Sequence, residues 1–295
     1  MKMQQTIGLS TSLAGQSERA HVSVSSEITR YLERTDGRIA YDDSGGSGAL
    51  VIAIPGMGDL RAQYRFLRPE LIRAGYRVVT MDVRGQGESS TNWKDYSAKA
   101  VADDVLALIE QLGVAKAFII GNSFAAGAGL WAAHSRPDTI IGVAMIGPIL
   151  RDLPVSSFIK GIVRLGFAGP WRIRFWTAYW DSLFPINKPS DHAAYRERLE
   201  RSLREPGRMD ALQTMVWLSK ADTESIVCKV SVPTLVIMGS HDPDFNDPIA
   251  ETVWLSENTG GQVAIVQGAG HYPHVELPDQ VAGELQTFLD RLKGK

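Results

Sequence analysis

Residues Ile119 to Gly129 read IIGNSFAAGAG. An apolar run gives way to Gly121-Asn122-Ser123-Phe124-Ala125, and then to alanine and glycine. This reads as a buried strand passing almost directly into a closely packed helix, so the turn between them must be sharp. Such a turn has no room for large side chains two residues either side of its apex. That accounts for Gly121 and the small Ala125, puts Ser123 at the apex, and lifts its hydroxyl above the sheet, where a nucleophile would sit. Ala125 stands where the usual pattern has a second glycine. A competing reading makes Gly121 a plain turn residue and Ser123 the N-cap of the helix, and this segment alone does not separate the two.

A serine hydroxyl is a weak nucleophile until a base takes its proton, and the base must be oriented by an acid. Both residue types stand downstream. Gln262 to His274 reads QVAIVQGAGHYPH, a strand that ends in Gly268-Ala269-Gly270 and presents His271 on a loop. Pro233 to Asp242 reads PTLVIMGSHD, a second apolar strand that ends at Gly239 and delivers Asp242. With Ser, Asp and His in that order, each just past a predicted strand, the chain resembles the α/β-hydrolase superfamily.

Two further segments carry the resemblance. Leu50 to Gly58, LVIAIPGMG, is a buried strand running into a Gly-rich turn where the superfamily places half of its oxyanion hole. Met81 to Ser89, MDVRGQGES, is similar to the DxRGxGxS turn of many members. The likeness covers about residues 28 to 293 and is weakest in the middle. Many relatives carry His-Gly in the oxyanion loop where this chain has Pro55-Gly56. The backbone donor survives that change, but the side-chain bracing of the loop is left open.

The resemblance implies roles for particular residues: Ser123 as nucleophile, His271 as base, Asp242 as the acid, and the backbone N–H groups of Met57 and Phe124 as oxyanion donors. Asp244 and Asp152 are the alternative acids. Asp244 could equally brace its own loop. Among the other histidines, His274 reads as a loop-packing residue and His241 as a solvent-facing neighbour of the acid. His134 reads as a polar group near a helix C-terminus.

Outside these motifs, apolar runs recur at 50 to 54, 77 to 82, 116 to 120, 140 to 146, 233 to 238 and 262 to 266, preceded by an antiparallel hairpin around Thr35-Asp36-Gly37. Helical patterns lie between them at 60 to 74, 95 to 112, 123 to 135, 248 to 258 and 278 to 292. Alternating buried strands and amphipathic helices predict an α/β fold, a mostly parallel eight-stranded sheet flanked by helices, with its site beyond the carboxyl ends of the strands. The alternation breaks over residues 151 to 228, where no strand reads convincingly. Trp171, Phe175, Trp176, Tyr179, Trp180, Phe184 and Trp217 crowd this segment. It is expected to be a helical cap inserted into a core of residues 27 to 150 and 229 to 295, with residues 1 to 26 a loose N-terminal extension. Most cap aromatics should form its own core. Trp176 and Trp180 are the candidates for a pocket roof.

Across all 295 residues, 44% are hydrophobic and the net charge is only −2, which suggests no nucleic-acid or anionic-membrane partner. The single cysteine, Cys228, permits no internal disulfide, and no Cys/His spacing reads as a zinc site, so neither a metal nor another cofactor is expected. With no continuous apolar leader and no run of membrane-spanning length, the expected location is the cytoplasm. Serine at the apex argues against the dehalogenase and epoxide-hydrolase branches, which place aspartate there. The expected function is hydrolysis of a small apolar carboxylic ester through an acyl-enzyme. Two alternatives are carbon–carbon bond hydrolysis of the meta-cleavage-product type, whose elbows often read GNSxGG, and a ligand-binding receptor on the same fold. Composition does not speak to oligomeric state.

Overall fold

In the computed structural model, which describes residues 28–294, eight strands form one sheet. They are β1 (Arg30–Arg34), β2 (Gly37–Asp43), β3 (Leu50–Ile54), β4 (Arg77–Met81), β5 (Ala117–Asn122), β6 (Ile140–Ile146), β7 (Thr234–Gly239) and β8 (Gln262–Val266). Their spatial order is β1-β2-β4-β3-β5-β6-β7-β8. The hairpin of β1 and β2 joins β4 antiparallel, and every other pairing is parallel. Strands β3, β5 and β7 are buried along their whole length, as strands covered on both faces must be.

Helices cover both faces. On one side lie α2 (Ala98–Gln111), α3 (Phe124–Ser135) and α9 (Pro248–Thr259), and on the other α1 (Leu67–Arg73) and α11 (Pro278–Leu292). Local chemistry sets their ends. Ser97 accepts the Ala100 N–H at 3.2 Å, so α2 begins at residue 98 and not at the expected 95. Asp247 accepts the N–H groups of Ile249 and Ala250, with Pro248 opening α9. The helix expected over 60 to 74 splits into a 3₁₀ turn at Arg61–Tyr64 and then α1. Pro69 is the reason: inside one continuous helix its ring would meet the carbonyl four residues back, whereas in the first turn of α1 it is tolerated.

Between β6 and β7 run α4 (Ser157–Phe167), α5 (Arg172–Ser182), α6 (His192–Leu203), α7 (Arg208–Trp217) and the short α8 (Ala221–Glu224), with no strand among these residues. Their apolar side chains form a core of their own, including Phe167, Trp176, Trp180, Phe184, Tyr195 and Leu199. That core is continuous with Leu60 after β3 and with Tyr272 and Val275 in α10 (Pro273–Glu276) and just before it. The insertion is therefore packed on the loops at the carboxyl end of the sheet. The extension expected over residues 1 to 26 lies outside the described residues. No helix among the described residues is long and apolar enough to cross a membrane.

Candidate active site

Ser123 follows β5 with φ 57° and ψ −127°, and it is the one non-glycine residue at positive φ among the described residues. A backbone in that region costs on the order of 1–3 kcal/mol and persists only where the surroundings impose it. Here the Ser123 N–H donates to Ile146 O at 2.8 Å, while its carbonyl accepts from Ala126 N and Ile149 N. The turn is as tight as the sequence demands: a Cβ on Gly121 would come within 2.4 Å of the Ala125 carbonyl oxygen. Although Ser123 occupies the N-cap position of α3, its side chain makes no capping bond. The capping interpretation of this serine therefore fails.

His271 stands on the loop after β8, and Asp242 on the loop after β7. His271 Nδ1 lies 2.8 Å from Asp242 Oδ2, and both residues are buried. The Asp244 N–H donates to Asp242 Oδ1 at 3.0 Å, which fixes the carboxylate. Asp244 turns back toward the same histidine, with Oδ2 3.4 Å from His271 Nδ1 and Oδ1 accepting from the Tyr179 hydroxyl at 2.8 Å. Burial by itself pushes the His271 pKa down, but the two carboxylates, with Glu276 behind them, outweigh it and hold it up at about 9. Burial pushes the Asp244 carboxyl upward. Asp152, the other candidate acid, is engaged elsewhere, accepting from Ser219 Oγ and Lys220 N. Gly147, at φ 50°, passes so close that a Cβ there would sit 3.2 Å from both His271 Nδ1 and Asp242 Oδ2.

The Pro55-Gly56 turn abuts the serine, since a Cβ on Gly56 would lie 3.3 Å from Ser123 Cβ. Its bracing comes from Gln63 in the 3₁₀ turn. Gln63 Oε1 accepts the Gly56 N–H at 3.1 Å, and Nε2 donates to Asn122 Oδ1 at 2.7 Å and to His274 Nε2 at 3.0 Å. All three side chains are buried. Burial, reinforced by the charges of His271 and Arg65, pushes the His274 pKa down to about 3, so this imidazole is neutral and can accept. Asn122 Nδ2 in turn donates to Ile146 O at 3.0 Å and to His271 O at 3.4 Å, tying the serine turn to the histidine loop. Gln63 engages the Gly56 N–H, and Met57 is the next residue of the turn. Phe124 opens α3, where first-turn N–H groups have no partner inside the helix.

The remaining sequence candidates fall around this centre. Trp176 Nε1 donates to Gly58 O at 3.2 Å, and its ring lies against Gly58. Trp180 Nε1 reaches Asp59 Oδ2 at 3.3 Å, and the Tyr195 hydroxyl donates to Asp59 Oδ1 at 2.6 Å. Both tryptophans are thus fastened to the loop after β3. His241 is exposed and pairs with Ser240 Oγ. His134 is exposed near the end of α3, with its ring edge-on to Trp131. The MDVRGQGES turn is a brace: Asp82 accepts the N–H groups of Arg61 and Glu88 and is ion-paired with Arg61, while Arg84 is paired with Asp104 at 2.6 Å.

Sequence reasoning missed Gln63, Asp59 and Glu276. Glu276 accepts the N–H groups of Gly270 and Tyr272 on either side of His271, and burial pushes its pKa up to about 7. A usable signal existed for it alone, a carboxylate one short turn beyond a Gly-x-Gly-His loop. Asp242, Asp244 and His271 are also the one group among the described residues whose ligand atoms, all within 4.8 Å of one another, could hold a metal ion. Of the two ring nitrogens of His271, Nδ1 is already hydrogen-bonded to Asp242.

A family profile described as alpha/beta hydrolase fold matches residues 49–278. The "Karrikin insensitive 2 receptor IA" of Petunia hybrida is 26% identical over 246 residues, 79% of this chain and 88% of the petunia protein. A probable esterase of Oryza sativa subsp. japonica is 26% identical over 247 residues, 80% of this chain and 89% of the rice protein. Among solved structures, a thermophilic esterase from Thermogutta terrifontis superposes with a TM-score of 0.73 at 24% identity, covering 90% of this chain and 99% of the esterase.

Proposed function

The chain belongs to the α/β-hydrolase fold family, and from that premise we propose that it is a serine hydrolase cleaving carboxylic esters of small apolar molecules. Ser123 Oγ attacks the ester carbonyl and passes its proton to His271 Nε2, the nitrogen not engaged by Asp242. The tetrahedral oxyanion is held by the N–H groups of Met57 and Phe124, each worth about 3–4 kcal/mol in the transition state. The imidazolium protonates the departing alcohol. Water then enters, loses a proton to His271 and releases the acid from the acyl-serine. In this reading residues 151–228 form a cap, with Trp176 beside the oxyanion turn.

The observation that carries the reading is Ser123 itself: a strained backbone, no capping bond, and a hydrogen-bonded His271–Asp242 pair on the adjoining loops. A fluorophosphonate probe should add once, at Ser123, and leave Ser123→Ala unmodified. The same protein should turn over activated esters many times, with a preference along a series of graded acyl length. Absence of labelling at Ser123 would overturn the assignment.

The likeness to the petunia "Karrikin insensitive 2 receptor IA" favours one second reading, a ligand receptor that uses the same residues slowly. That reading expects no more than one ester cleaved per protein molecule, and a ligand-dependent shift in melting temperature. Sustained turnover removes it.

A further inference from the structure

Helix α4 buries only Gly166 and Phe167. Val163 is half-buried against the core of the insertion, and the larger apolar side chains face solvent: Phe158 is 75% exposed, Ile159 44%, Ile162 41% and Leu165 68%. Phe158, Ile162 and Leu165 are spaced i, i+4, i+7 and make one stripe, with Ile159 at its edge. Trp171, 54% exposed, continues the stripe past the end of the helix, where its Nε1 donates to Leu165 O at 3.0 Å. Contiguous exposed apolar surface of this kind marks an interaction site.

Charge identifies the occupant. Lys160 and Arg164, one turn apart, flank the stripe. From Leu153 to Trp180 the chain carries four cations, Lys160, Arg164, Arg172 and Arg174, and no carboxylate, although the whole chain is at −2. One of the four, Arg172, is paired with Asp210 at 2.5 Å, while Arg174 is exposed. A second copy of the chain fits poorly: a two-fold contact across this face would set the Lys160 and Arg164 of one copy against those of the other. An apolar stripe with an aromatic at its end and basic residues along its flank suits the interface between acyl chains and anionic headgroups. We propose that α4 and Trp171 form a docking surface for an anionic lipid bilayer, the helix lying in the headgroup plane with Phe158, Ile162 and Leu165 inserted. This goes beyond the ester chemistry and does not depend on it.

The test is co-sedimentation of the full chain with vesicles of phosphatidylglycerol and phosphatidylcholine, or of phosphatidylcholine alone, at low and high salt. The protein should bind the anionic vesicles at low salt and leave them at high salt. Lys160→Glu with Arg164→Glu should weaken binding at least about 25-fold, about fivefold for each cation lost. Phe158→Ser with Leu165→Ser should abolish it. These side chains are exposed, so both double variants should melt with the parent. Ser123→Ala should bind as the parent does. No binding to anionic vesicles, or binding unchanged in both double variants, overturns the proposal. Loss of binding in Ser123→Ala would put the lipid in the candidate active site and overturn it too. A micromolar dimer seen by ultracentrifugation and dissolved by Phe158→Ser with Leu165→Ser would assign the face to a second copy instead.

Discussion

The loops at the carboxyl end of the sheet hold their side chains by hydrogen bonds, whereas the helices over residues 157–224 hold theirs mainly by ring packing, with single hydrogen bonds from Trp176, Trp180 and Tyr195 to the loop after β3. Around Ser123, each of Gln63, Asn122, Asp242 and His271 has a polar partner on another segment of the chain, and Glu276 ties down the backbone on either side of His271. In the insertion, Trp180 stacks on His192 at 4.8 Å and on Tyr195 at 5.8 Å, and packs edge-on to Phe184 at 4.9 Å. A buried hydrogen bond fixes direction, and losing one partner costs about 1–3 kcal/mol. A buried ring fixes volume, and removing it costs about 3–5 kcal/mol. Changes near Ser123 should therefore alter rate more than stability, and changes in the insertion should do the reverse.

Ser123→Ala is the severest test of that contrast. Ester hydrolysis should fall by about 10⁶ in kcat with the melting temperature unmoved. Ser123→Gly should be equally inactive yet more stable, because glycine accepts φ 57° without the strain that serine bears there. A calorimetric scan reads the difference, and a Ser123→Gly protein less stable than the parent would remove strain from the account.

Next in size is the acid. Asp242→Asn should lower kcat by about 10⁴ through the wrong histidine tautomer. Asp244→Asn should lower it far less, and the opposite ranking would make Asp244 the acid. The pH profile sharpens the choice. Only neutral His271 can act as base, so with its pKa held at about 9 activity should climb with pH and level off above that value. Asp244→Asn removes one of the carboxylates that favour the imidazolium, so the climb should move to lower pH.

Gln63→Leu comes third. It takes the acceptor from the Gly56 N–H and lets the Met57 turn drift. Because an oxyanion contact tightens only in the transition state, kcat should fall by about 10²–10³ with KM nearly constant. Steady-state kinetics on one ester separates this from a packing defect, which would raise KM and lower the melting temperature with kcat intact.

How far this site could be read in advance follows the same division. The strands were legible because β3, β5 and β7 are continuous apolar runs bounded by glycine, and the positions of Ser123, Asp242 and His271 were legible because each lies on a turn or loop shortly after a strand. Gln63 was not, since a glutamine inside an amphipathic segment looks like a solvated position until Pro69 breaks the helix and turns it inward. Asp59 was hidden for a related reason. Its partners Trp180 and Tyr195 lie more than 120 residues away, and no local period records so distant a bond. In the insertion, the density of aromatic neighbours marked Trp176 and Trp180 as candidates for a pocket roof but could not say which atoms they touch.

The smallest expected effect separates those two tryptophans. Trp176→Phe keeps an aromatic ring over Gly58 but removes the N–H that donates to its carbonyl at 3.2 Å. A neutral hydrogen bond is worth about 1 kcal/mol net, so kcat/KM should change by about fivefold at most. Gly58 adjoins Met57, and the change should appear as a raised KM that grows with acyl length, since contact with the acyl chain is made in ground and transition state alike. Trp180→Phe loses the N–H to Asp59 Oδ2 from a ring stacked among His192, Tyr195 and Phe184. It should lower the melting temperature and leave the acyl-length preference as it was. Kinetics on short and long acyl esters, paired with thermal melts of both variants, tests the distinction. If Trp180→Phe shifted the chain-length preference as far as Trp176→Phe, the stacked core and the pocket wall would be one element, and the contrast between the two regions would fail at that point.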